Sequence, residues 1–225
     1  PDLPAATATA APAPRRRLAA EFAALYLGVP ALLAFGLGPG AMWTVMLAGL
    51  ALSGVLLALT PGVGWRELVE GPPVGHRGGL VAYTAVTFAV ALAAVLIFAP
   101  GALLALPRWR PGLWLAILAF YPLLSALPQE VMFRMLFFRR YGTLFPNRGV
   151  AVAVNAGVFA LAHGFLWNLP ALLMTAAGGA IFSWAYLGTG RGRNLMFAVL
   201  LHAIAGWIVF TLGLGRFFYH GAAPG

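Results

Sequence analysis

Seven apolar runs, each close to the length a bilayer demands, divide this chain and leave little room for any architecture but a bundle of membrane-spanning helices. A hydrocarbon core takes about 20 helical residues to cross. The runs are Leu18 to Gly38, Ala41 to Thr60, Leu80 to Ala99, Leu113 to about Arg140, Arg148 to Phe165, Leu169 to Leu187 and Leu195 to Leu214. In lipid no water is at hand to bond the backbone, so such segments close their hydrogen bonds internally as α-helices. The expected fold class is therefore all-α, a polytopic transmembrane helix bundle of about seven spans. Composition agrees: 62% of the 225 residues are hydrophobic and 8% charged, where a soluble domain carries roughly a quarter charged residues.

The formal net charge is +9, and every basic residue is an arginine. In a soluble protein that excess would raise the question of nucleic acid. Here the arginines lie in the connections between apolar runs, which marks membrane topology and attraction to anionic membrane lipid; no nucleic acid partner is expected. With the N-terminus inside, ten arginines fall in inner segments (residues 15, 16, 17, 66, 77, 139, 140, 148, 191 and 193) against three outside (108, 110 and 216). The asymmetry argues for a cytoplasmic N-terminus, and with the compact chain it fits a bacterial inner (plasma) membrane. Cysteine is absent, which removes disulfides, thiolate nucleophiles and cysteine metal ligands together.

Residues 1–14, rich in Ala and Pro, have too few large apolar groups to pack and read as a disordered tail. Arg15, Arg16 and Arg17 ahead of an apolar run resemble the start of a signal peptide, but the run is long enough to span and more spans follow, so an uncleaved first helix is expected. Residues 15–110 then hold spans one to three, residues 111–215 a later core, and residues 216–225 an aromatic tail. Glu21 lies in the first turn of the first span, where a carboxylate suits the positive end of the helix dipole. The WRELVE piece after the second run reads as a short interfacial helix anchored by Trp65, and Arg139 and Arg140 read as interface anchors. The fourth run is too long for one straight span, and Pro122 and Pro128 should bend or break it. Gly178, Gly179 and Ser183 on the sixth span allow close helix contact.

Glu130 is the only acidic residue after Glu70, and it falls within the fourth run with Arg134 one helical turn on. A charge at bilayer depth costs on the order of 2.5–3.5 kcal/mol by insertion scales and usually faces a bundle interior or a water-filled cavity. The i, i+4 spacing also suits a plain ion pair. His163 and His202 add an ionisable group on each of two later spans. One carboxylate and two imidazoles on neighbouring helices can activate water without a metal, the imidazoles stabilising the oxyanion, or as a two-His, one-carboxylate site for zinc. Each imidazole can equally be a core histidine bonded to a carbonyl. Glu and His inside spans also suit a small transporter or proton relay.

The same residues carry a resemblance. QEVMFR (Gln129 to Arg134) is similar to an EExxxR motif, FALAH (Phe159 to His163) to FxxxH, and His202 stands where an HxxxN or HxxxD motif begins. In this order on late spans they resemble the CPBP family, the CAAX-processing and bacteriocin-processing intramembrane proteases of the Ras-converting endopeptidase type, over roughly Leu113 to Gly215. The resemblance implies a helical membrane bundle that hydrolyses peptide bonds of membrane-anchored proteins or peptides, prenylated ones among them. It implies catalytic roles for Glu130, His163, His202 and Arg134, without a required cofactor; a metal, if used, would take Glu130, His163 and His202. Two positions depart from the pattern. Gln129 stands where the family's water-activating Glu is expected, and Gly206 where its Asn or Asp is expected. Gln is not a base, and neighbouring helical residues point about 100° apart, so Glu130 does not simply inherit Gln129's direction. Gln129 can still orient water or donate to an oxyanion, Phe159 packs beside His163, and Asn155 bonds a neighbouring helix or stands in for the missing amide. A member that has lost catalysis and binds a membrane partner is the alternative these departures favour.

Overall fold

The computed structural model describes residues 13–69, 77–188 and 194–218. Seven helices are long and apolar enough to cross a membrane: α1 (Arg15–Leu37), α2 (Pro39–Ala58), α3 (Gly78–Phe98), α4 (Pro111–Leu144), α5 (Arg148–Leu166), α6 (Leu169–Leu187) and α7 (Leu195–Leu212). Among the described residues there is no strand. The expected all-α, seven-span bundle of an integral membrane protein is the fold found. The tail expected over residues 1–14 falls almost wholly outside the described residues, as do residues 70–76, Arg191, Arg193 and the chain beyond 218.

Three helix starts are written in the sequence as asparagines. Asn147, Asn168 and Asn194 each accept from the backbone N–H three residues on, Val150, Ala171 and Phe197. Each satisfies a donor that the first helical turn leaves unpaired, a contribution of about 1 kcal/mol. These caps set where α5, α6 and α7 begin, and so the depth of their side chains. Between α5 and α6 the helices nearly touch: a Cβ at Gly179 would stand 2.8 Å from the Ala156 Cα, the close approach expected of the small residues there.

α4 departs from expectation in an informative way. It is neither broken nor confined to one bend, but continues for 34 residues. The turns at Pro122–Ala126 and over Val131–Tyr141 widen to the five-residue hydrogen-bond spacing of a π-helix. A proline lacks the N–H that a helix needs and collides with the carbonyl four residues back; a wider turn absorbs both defects without ending the helix. Such widened turns are frequent at functional sites, though the first helix also has them at Ala24–Gly28 and Leu33–Leu37. In α4 the second one starts immediately after Glu130 and carries Arg134.

At its far end α4 is clamped rather than merely anchored. Arg140 Nε lies 2.7 Å from Glu21 Oε2 of α1, and its Nη1 reaches Thr60 Oγ1 and the Leu56 carbonyl of α2. Arg139 Nε faces Glu67 Oε2 at 3.5 Å, and the Tyr186 hydroxyl of α6 donates to Glu67 Oε1. The first helix begins at Arg15, so Glu21 lies in its second turn and not in the first as expected; it serves as an ion-pair partner for Arg17 and Arg140 rather than through the helix dipole. The piece around Trp65 is a single tight turn, Trp65–Leu68, with Trp65 exposed and Glu67 drawn into the bundle. Arg139 and Arg140, read from the sequence as interface anchors, also pair with carboxylates of other segments, and the piece around Trp65 forms one short turn rather than a longer helix; a carboxylate near hydrocarbon is held where a guanidinium can meet it.

Candidate active site

The widened turn of α4 places Glu130 and Arg134 in the centre of the bundle, each with 0% of its surface exposed. Arg134 Nε stands 3.1 Å from Glu130 Oε2. The other carboxylate oxygen, Oε1, lies 2.7 Å from His202 Nδ1 on α7. One carboxylate therefore joins a guanidinium on its own helix to an imidazole 72 residues away in the chain. Aromatic rings enclose the trio. The Arg134 guanidinium sits 4.4 Å from the centre of the Phe159 ring and 5.4 Å from that of Phe182. Phe182 of α6 is stacked on the His202 imidazole at 4.8 Å, while Phe159 and Tyr121 meet that ring edge-on at 5.8 and 5.9 Å. Charges taken this far out of water persist only where partners and cation–π faces replace the lost hydration.

The hydrogen bonds fix which imidazole nitrogens can do chemistry. A carboxylate accepts, so His202 Nδ1 donates to Glu130 and Nε2 carries the free lone pair of the neutral ring. His163 follows the same rule by a different partner: its Nδ1 is 2.8 Å from the Phe159 carbonyl of its own helix. Its ring packs edge-on against Phe159 at 4.9 Å and faces Phe218 at 6.3 Å. Phe159 is thus in contact with Arg134, His163 and His202 alike, while no hydrogen bond joins His163 to Glu130 among the described residues. A neutral imidazole of this tautomer offers Nε2 as an acceptor; it donates to an oxyanion only when protonated. Nor do the side chains form a ligand set: among the described residues no three His, Cys, Asp or Glu side chains stand where they would hold one metal ion. Both oxygens of Glu130 already face Arg134 and His202.

Residues 111–208, a little under half of the chain, match the family model for the type II CAAX prenyl endopeptidase Rce1-like family. Over this stretch the chain is similar to that family. No curated protein and no solved structure matches the chain. The matched segment contains every residue of the Glu130, Arg134 and His202 constellation, together with His163, Phe159, Asn155 and Gln129. It leaves α1 to α3 outside, although α1 and α2 supply side chains and carbonyls that hold α4 in place.

Within the matched segment the two departures have visible consequences. Gln129 is half-buried, its amide nitrogen donating to Ser125 Oγ at 3.0 Å one turn back; it is turned along α4 and, among the described residues, makes no hydrogen bond to an imidazole. At Gly206 a Cβ would overlap the Tyr121 ring at its hydroxyl-bearing edge. The aromatic ring has taken the space that an Asn or Asp side chain would fill. Gly206→Asn should therefore lower stability by about 1–3 kcal/mol, as overpacking does, and thermal unfolding in detergent will show it. An unchanged midpoint would mean that the Tyr121 ring moves aside freely.

Asn155 bonds neighbouring helices, as one of its two sequence readings has it. Its amide nitrogen donates to the Phe133 carbonyl of α4, and its Oδ1 lies 2.8 Å from Ser183 Oγ of α6. Phe182, Tyr121 and Ser183 are the parts of the site that no motif announces. For Phe182 the sequence offers nothing beyond another apolar residue in α6.

Proposed function

We propose that the chain is an intramembrane endopeptidase that hydrolyses peptide bonds of membrane-anchored proteins or peptides, CAAX-like prenylated ones included, with His202 as general base. The observation that carries this reading is the 2.7 Å contact between His202 Nδ1 and the buried Glu130 carboxylate, set in a segment that matches a protease family. A carboxylate at Nδ1 holds an imidazole in one tautomer and stabilises the imidazolium when Nε2 takes a proton, the division of labour seen in Ser-His-Asp triads. Nε2 would remove a proton from water as its oxygen attacks the scissile carbonyl. The same proton then goes to the leaving amine as the C–N bond breaks, yielding a carboxylate and an amine. Glu130 orients the base in this scheme: its Oε1 meets His202 Nδ1, while Oε2 faces Arg134 Nε as an ion pair; Phe182 holds the plane of the imidazole. The arginine asymmetry supports a cytoplasmic location for the end of the bundle bearing Arg139 and Arg140, in a bacterial inner membrane.

A second reading, binding of a membrane partner without cleavage, is favoured by the amide of Gln129 turned to Ser125. Purified protein in lipid nanodiscs, presented with membrane-tethered peptides, separates the two. Wild-type cleavage that falls at least 100-fold in Glu130→Gln, with chelator having no effect, is the result expected of the peptidase. Cleavage absent from wild type and present in Gln129→Glu would establish the binding reading instead.

A further inference from the structure

From the contacts around the widened turn of α4, we infer that Asn155 and Tyr26 are positioning residues, which aim Glu130 at His202 by each donating a hydrogen bond to a backbone carbonyl of that turn. The kinetic part of this inference rests on the endopeptidase reading above; the structural part does not. The Tyr26 hydroxyl of α1 lies 2.6 Å from the Met132 carbonyl. The Asn155 amide of α5 donates to the next carbonyl, Phe133. These two residues stand between Glu130 and Arg134 in the chain, so the peptide units that connect the ion pair are pinned from opposite helices.

Both donors are built in rather than incidental. Asn155 has 0% of its surface exposed and Tyr26 3%. A carbonyl only accepts, so the Asn155 amide must face Phe133 with its nitrogen and Ser183 with its oxygen. Ser183 Oγ in turn lies 2.6 Å from the Gly179 carbonyl, and that carbonyl is 3.5 Å from Arg134 Nη2. The Ser183 hydroxyl has one proton and both neighbours only accept, so it bonds the Asn155 oxygen or the Gly179 carbonyl at any one time, and the Gly179 carbonyl faces the guanidinium. Phe182, next to Ser183, is the ring stacked on His202. A carbonyl keeps a second lone pair after its helical bond is made. In a five-residue turn the side-chain donor therefore adds a constraint without competing for the backbone. A regular α-helical turn would rotate the residues that follow Glu130, and Arg134 among them, to other directions.

The test uses full-length protein labelled with 15N-histidine in nanodiscs, where the Nδ1 proton of His202, bonded to a carboxylate, gives a downfield signal that Glu130→Gln removes. Tyr26→Phe deletes only the hydroxyl, Ser183→Ala only the contact that fixes the amide, and Asn155→Leu the whole amide. The expected result is that all three move or broaden the His202 signal. With them kcat falls, by on the order of 10²-fold for Asn155→Leu as expected of a misplacement near 1 Å, and KM stays within about twofold. A His202 signal and a kcat that stay as in wild type, even with a lowered unfolding midpoint, would overturn the inference and leave both residues as packing alone. Should Asn155→Leu fail to fold, Tyr26→Phe and Ser183→Ala decide on the same readouts. A signal displaced by these variants in a protein with no wild-type cleavage would uphold the positioning role and overturn only the peptidase reading.

Discussion

Arg134→Met should destabilise the bundle by about 3–5 kcal/mol, the range found when one partner of a buried ion pair is removed. Methionine fills much of the same volume, so the loss is electrostatic: Glu130 Oε2 would face hydrocarbon and aromatic rings with only His202 left on its other oxygen. The double variant Glu130→Gln, Arg134→Met should recover a large part of that loss, because an uncharged pair leaves nothing to hydrate. A denaturation series in mixed micelles over the two single variants and the double variant measures the coupling directly. A loss below about 1 kcal/mol in Arg134→Met would mean that water reaches the carboxylate, and the enclosure by Phe159 and Phe182 would then lose its meaning.

The second large effect concerns the two imidazoles, which the motifs treat alike. His202→Ala should lower kcat by about 10²–10⁴-fold, the contribution of a positioned general base, whereas His163→Ala should lower it by clearly less. The difference follows from their partners. His202 donates to a carboxylate that can stabilise the imidazolium, and His163 donates to a neutral carbonyl of its own helix. Single-turnover rates on a tethered peptide, with the fold of each variant verified by its unfolding midpoint, give the ranking. The reverse order would transfer the base to His163 and make the Glu130–His202 pair a structural element.

The bundle itself was legible because hydropathy acts over whole segments: seven runs of spanning length give seven helices, with ends within a few residues of those found. Glu130 and Arg134 were legible for the same reason, two charges one turn apart in lipid having few alternatives to each other. The approach of His202 to Glu130 was legible only as a candidate. Whether residues on α4 and α7 meet depends on the rotation of both helices, and that rotation is set by the widened turn and by ring packing at Phe182 and Tyr121, none of which leaves a periodic signature. The partners of Glu21 and Glu67 were hidden in a different way. Each pairs with an arginine far away in sequence, and a count of loop charges assigns those arginines to topology without asking whom they meet. Pro122 and Pro128 pointed correctly to a disturbance in α4, but not to its form, since a proline defect is relieved equally by a kink or by a wider turn.

The clamp between Glu21 and Arg140 carries a consequence for the order in which the protein is made. Glu21 is made with the first helix, and its principal partner lies 119 residues further along, roughly ten seconds of synthesis. Arg17, one turn before Glu21 and 2.9 Å from it, is present from the outset. It can shield the carboxylate while the nascent chain waits, then share it when α4 arrives. Arg17 is thus the partner that Glu21 has within its own helix, and the contact with Arg140 forms only once the fourth helix has been made.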